Sequence, residues 1–249
     1  MTPMLRQNLT LCVLVLIGIN MRPLLTSIGP LLPDIRAASG MSYTLVALLT
    51  ALPVIAMGVL ALAGGWVDRT VGQNCSIALS LLIIAAGALL RESAPHSGLL
   101  LSSALAGGIG IGIIQAAIPA VIKRLFARRM PLVMGLWSAA LMGGGGLGAA
   151  FTPWLASRST VWHQALAWWA LPALLALLGW LAICRQLPRA PHQTSASPRV
   201  AIIGQRRAWT LGLYFGLINA GYASLIAWLP PYYIQLGDSA QYSGSLLAL

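Results

Sequence analysis

The chain has 249 residues, 58% of them hydrophobic and only 8% charged, with a formal net charge of +11. Soluble domains carry roughly a quarter of their residues as charge, so this composition excludes a water-soluble globule and makes the lipid bilayer the solvent. The fifteen Lys and Arg residues lie between apolar runs and not along one amphipathic face, which excludes nucleic-acid binding as the origin of the positive charge.

A membrane-spanning helix needs about 20 mostly apolar residues. Windows of that kind fall at 9–32, 44–64, 75–91, 98–122, 131–151, 162–183 and 209–229, and an eighth run begins near Ser243. The first stretch, Leu9 to Leu32, lacks a small-residue cleavage pattern and reads as a retained helix, not a signal peptide. The chain therefore reads as all-α integral membrane: a six-helix bundle over 1–184, a basic cytoplasmic linker over 185–208 and the start of a second bundle over 209–249. If the N-terminus is cytoplasmic, eleven basic residues face inward, among them Arg6, Arg69, Lys123, Arg124, Arg128 and Arg129. Only Arg36, Arg91 and Arg158 then face outward. This is the bias of a multi-pass inner-membrane protein.

Arg22 belongs to neither side. It lies thirteen positions into the first window, about 20 Å deep at 1.5 Å per residue, where an arginine needs water or a partner. No Asp or Glu falls inside any predicted window. The partner is then a backbone carbonyl, another part of the protein, or a bound anion, for which the guanidinium fork is suited. Asn20, Thr26 and Ser27 surround it, and Pro23 interrupts the same helix, as happens where a helix lines an enclosed or watery space.

The fourth window places Gly107, Gly108, Gly110 and Gly112 before Gln115, which is either a polar cavity group or an interhelical hydrogen bond. The fifth holds Gly143, Gly144, Gly145 and Gly146, followed by Gly148. Such small residues allow close approach of helices, with direct backbone contact to a substrate as the other reading. In the seventh, Asn219, Tyr222 and Ser224 cluster at matching depth. The first and seventh helices also align with each other when Pro33 is laid on Pro230, 197 positions away. Gly40 then meets Gly237, Ser42 meets Ser239 and Arg22 meets Asn219. Such duplication characterises transporter folds, and a complete second copy would extend well beyond Leu249.

Enzymatic constellations are missing: the sequence holds no HExxH, no phosphate loop and no paired carboxylates in the apolar windows. Cys12, Cys75 and Cys184 lack metal-ligand spacing. No enzyme activity, cofactor or metal is expected.

The segment Asn20–Pro33 (NMRPLLTSIGPLLP), the glycine-rich fourth helix, Gly135–Ala150 (GLWSAALMGGGGLGAA) and Leu217–Tyr233 (LINAGYASLIAWLPPYY) resemble the cyanate transporter group of the major facilitator superfamily. The resemblance covers essentially the whole chain. It implies a major-facilitator-type helical bundle: two six-helix bundles around a central cavity, rocking to give alternating access. The first, fourth and seventh helices would line the cavity and turn Arg22, Asn20, Thr26, Gln115, Asn219 and Tyr222 toward substrate. The second and fifth would face the other bundle. The superfamily signature between the second and third helices is present as Gly64, Asp68 and Arg69, with Gly72 one position late and its trailing basic pair replaced by Gln73 and Asn74. The implied function is transport of a small anion, cyanate by family analogy, across a bacterial inner membrane. A neutral solute such as a nitroimidazole, or a truncated non-transporting membrane protein, stands as the alternative. A missing C-terminal half or a second copy is the expected partner.

Overall fold

Pro23 decides the shape of the first span. A proline removes a backbone donor and clashes with the carbonyl four residues before it. In the computed structural model, which describes residues 3–93, 96–158, 161–187 and 204–248, α1 accordingly covers Pro3–Asn20 and stops. Met21 and Arg22 form the break, and α2 restarts as Pro23–Thr26 with the proline at its first position. A tight turn at Gly29–Leu31 leads into α3, Leu32–Ser39. The helix expected to run through Arg22 thus ends two residues before it.

The other elements are α4 (Tyr43–Val71), α5 (Gln73–Leu90), α6 (Ser97–Leu125), α7 (Met130–Arg158), the pair α8 (Trp162–Ala167) and α9 (Ala170–Cys184), α10 (Arg206–Gln235) and α11 (Ala240–Ala248). Among the described residues, seven segments are long and apolar enough to cross a membrane, and they coincide with the seven windows. Several helices outrun their windows, because helical hydrogen bonding continues into the headgroup region where hydropathy has already fallen. Asp34 and Asp68 therefore lie inside α3 and α4, in their terminal turns. This corrects the expectation that no helix carries an acid. Residues 188–203 of the expected linker, and the side chains of Gly64 and Arg69, lie outside the described residues.

α6 packs on α4 and α5, α1 on α7 and α9, and α5 on α9. In lipid, helix association depends on close packing more than on burial from water, and the glycines provide it. A Cβ at Gly108 would sit 2.5 Å from the Pro53 Cα, and one at Gly112 would sit 3.0 Å from the Met57 Cα. Gly18 likewise meets Trp137 and Ala140. Leu14, Ile17, Leu81, Ile114 and Trp180 fill the centre between these helices.

One end of the bundle is fastened by side chains from the connection between α4 and α5. The Ser76 hydroxyl donates to Asp68 Oδ1 at 2.6 Å. Gln73 Nε2 donates to the Ala117 carbonyl at 3.3 Å, Asn74 Nδ2 to the Cys184 carbonyl at 3.2 Å, and Trp180 Nε1 to the Asn74 carbonyl at 2.9 Å. The residues standing in place of the signature's basic pair therefore tie α5 to α6 and α9. Ser76→Ala leaves a half-buried carboxylate short of its donor and is expected to lower stability by about 1.5–3 kcal/mol, measurable as a reduced Tm in detergent.

The internal repeat is visible at atomic level. Gly40 and Gly237 both take positive φ, 65° and 102°, a conformation open to glycine without penalty. Ser42 Oγ accepts from the Leu45 N–H and Ser239 Oγ from the Tyr242 N–H, so each serine caps the helix that follows. The last two helices also touch the earlier ones. α11 packs on α7, with Gly244 against the Ala149 carbonyl, and Gly29 faces the Ile226 carbonyl of α10.

Candidate functional site

Because α1 ends at Asn20, the Arg22 carbonyl is freed from α1 and accepts from the Leu25 and Thr26 N–H groups instead. The Arg22 side chain leaves the break toward α10, where its guanidinium carbon lies 5.0 Å from the centre of the Tyr222 ring. A cation over an aromatic face is attracted by the ring quadrupole. Nε of Arg22 is buried without a hydrogen-bond partner, and no described carboxylate pairs with the guanidinium. Such a guanidinium keeps donors free, and its planar fork matches small anions in geometry and charge.

Thr26 supplies the neighbouring wall. Its hydroxyl donates to the Gly145 carbonyl at 2.8 Å, with the Arg22 carbonyl at 3.2 Å. Arg22, Thr26, Gly145 and Tyr222 therefore converge from three helical segments, α2 with the break before it, α7 and α10. The glycine run expected to serve packing divides by face. Gly144 lies against the Ile19 backbone, Gly148 against Thr26 and Pro23, and Gly146 against Ala248. Gly145 faces the site, and Gly143 has nothing within 4 Å.

Three further residues expected to face the substrate hydrogen-bond elsewhere or to none of this cluster. Asn20 is 3% exposed, and its amide donates to the Leu16 carbonyl at 2.8 Å and the Pro172 carbonyl at 3.0 Å, which ties the first span to α9. Asn219 turns its amide onto the Phe215 carbonyl of its own helix at 2.9 Å. Gln115 is half-buried on α6 and hydrogen-bonds to none of the cluster. Asn20→Leu leaves the Pro172 carbonyl without its donor and is expected to lower the Tm, by about 1–3 kcal/mol of stability. The apparent KM of the surviving protein should stay unchanged.

The description Major Facilitator Superfamily matches residues 11–249. The chain belongs to that superfamily. Its all-helical bundle is the fold this membership requires. Over 239 residues, covering 96% of this chain and 62% of the relative, it is 66% identical to the Cyanate transport protein CynX of Escherichia coli (strain K12). Over 237 residues, covering 95% of this chain and 60% of the relative, it is 31% identical to a 2-nitroimidazole transporter of the same strain. The chain thus spans about three-fifths of the length of these relatives. Its backbone is also similar to the crystal structure of a bacterial homologue of the human lysosomal transporter Spinster, in an inward-facing and unoccupied conformation. That match has a TM-score of 0.74 at 17% identity, over 99% of this chain and 59% of that one, and it shows the fold alone.

Within this superfamily member, sequence reasoning missed Arg91. Counted as an outer-loop residue, it is 1% exposed. Its Nε donates to Ser103 Oγ at 3.3 Å, while one terminal nitrogen is buried without a partner. Burial pushes its pKa down to about 10, so it remains a cation at neutral pH. The only sequence signal is its position directly after α5, opposite the Ser102 and Ser103 pair of α6.

Proposed function

We propose that this chain is the first bundle, and the start of the second, of a secondary transporter that moves a small anion, cyanate or a close analogue, by alternating access. Residues 1–184 form the first bundle, 185–208 the cytoplasmic linker and 209–249 the start of the second. The N-terminus is cytoplasmic, and the membrane is the bacterial inner membrane. The observation that carries this reading is the Arg22 guanidinium at the break of the first span. It has no carboxylate partner among the described residues and has Tyr222 of α10 beside it. Identity of 66% to a relative named for cyanate transport supports the substrate.

The geometry suits the mechanism. Arg22 belongs to one bundle and Tyr222 to the other, so rocking of the bundles opens and closes the space between them, and an anion bound there supplies the countercharge Arg22 lacks. A bound anion favours whichever state holds both groups close, which is the differential interaction a population shift needs. The part of the relatives' length that this chain does not span, or a second copy, would complete the enclosure.

Uptake of labelled cyanate into cells producing the protein, set beside efflux of 2-nitroimidazole, tests the reading. Cyanate uptake above that of cells lacking the protein is the expected result. Movement of 2-nitroimidazole without cyanate would replace the anion reading with that of a neutral-solute exporter.

A further inference from the structure

Gly144, Gly145 and Gly148 look equivalent in sequence but meet different obstacles. A side chain at Gly144 would enter the Ile19 backbone, and one at Gly148 would enter Thr26 Oγ1 and stand 2.6 Å from the Pro23 Cα. Packing alone therefore demands glycine at both. At Gly145 it does not. A Cβ there would stand 3.4 Å from Arg22 Cβ, 3.6 Å from Thr26 Cγ2 and 3.7 Å from Tyr222 Oη, all ordinary van der Waals separations with no backbone in the way. Alanine would fit and would strengthen the helix, in which glycine is disfavoured. The position is bare without a packing reason, and its bare face borders the three side chains of the site.

We propose that Gly145 sets the size of the anion the site admits, its backbone forming the wall between the root of the Arg22 side chain and the hydroxyl tip of Tyr222. Thr26 completes the wall: by donating to the Gly145 carbonyl at 2.8 Å, its hydroxyl keeps that oxygen from presenting a free lone pair to a negative guest. The wall then favours narrow anions over broad ones. This inference rests on the anion-carrier reading of the same site and assigns its specificity to one position.

The test compares the unaltered protein with Gly145→Ala and Gly143→Ala in cells. Membrane abundance is read by immunoblot, together with the KM for labelled cyanate and the inhibition of uptake by azide and nitrate. One added carbon in a fitted pocket changes selection about tenfold or more. Gly145→Ala at full abundance is therefore expected to raise the KM for cyanate by about that factor and to weaken inhibition by trigonal nitrate more than by linear azide. Gly143→Ala, whose added carbon meets nothing within 4 Å, is expected to behave as the unaltered protein. An unchanged KM in Gly145→Ala overturns the proposal, and so does reduced abundance, which would make Gly145 a packing glycine. Failure of the unaltered protein to take up cyanate overturns the carrier reading, and this inference with it.

Discussion

Arg22→Gln is expected to abolish anion uptake while leaving the protein in the membrane at normal abundance. Gln keeps a polar amide at the break but removes the charge and the donor fork. Deleting one member of a buried, hydrogen-bonded charge pair costs about 2–5 kcal/mol, a loss of at least thirtyfold in affinity. Abundance should hold because Arg22 Nε has no protein partner to strand and the carbonyl contacts at the break come from the backbone. Arg22→Lys restores the charge as a point cation without the planar fork, and partial uptake is expected. Labelled uptake normalised to immunoblot signal separates these outcomes. Lost protein with normal uptake per molecule would make Arg22 a structural residue.

Gly148→Ala should act on folding, removing folded protein. The added carbon would enter Thr26 Oγ1 and stand 2.6 Å from the Pro23 Cα, and neither the proline ring nor the α2 backbone can swing aside. Overpacking a tight core costs about 1–3 kcal/mol, and at this chain length 3 kcal/mol corresponds to a fall in Tm of about 6–12 °C. Gly144→Ala, driven into the Ile19 backbone, should fall in the same range. Thermal unfolding in detergent by tryptophan fluorescence measures both. An unchanged Tm in either variant would mean that α1, α2 and α7 are not held as closely as described.

Hydropathy located every span, because the requirement of about 20 apolar residues leaves little freedom, and Pro23 announced the break in the first one. What hydropathy could not convey is where helices end and which way side chains face. Asp34 and Asp68 stood outside the apolar windows, yet the hydrogen-bond ladders of α3 and α4 run past them. Asn20 and Thr26 flank Arg22 in sequence, but the turn at Met21 and Arg22 resets the helical phase. Asn20 then faces α9 and Thr26 faces α7. The repeat alignment paired Arg22 with Asn219, whereas Tyr222 reaches the guanidinium because its longer side chain crosses from α10. The glycine run signalled close contact but could not show that its members face α1, α2, α10 and α11 in turn, since that depends on helices distant in sequence. The burial of Arg91 went unseen for the same reason: it is created by α6, which follows it in the chain.

The amides at Gln73 and Asn74 have a consequence for the conditions under which the helices stay packed. Screening by dissolved ions weakens attraction between exposed charges, with a reach of about 8 Å at physiological ionic strength, but leaves bonds between neutral groups nearly untouched. The three links from Gln73, Asn74 and Trp180 are all of the neutral kind. The packing of α5 on α6 and α9 should therefore hold unchanged from dilute medium to brine.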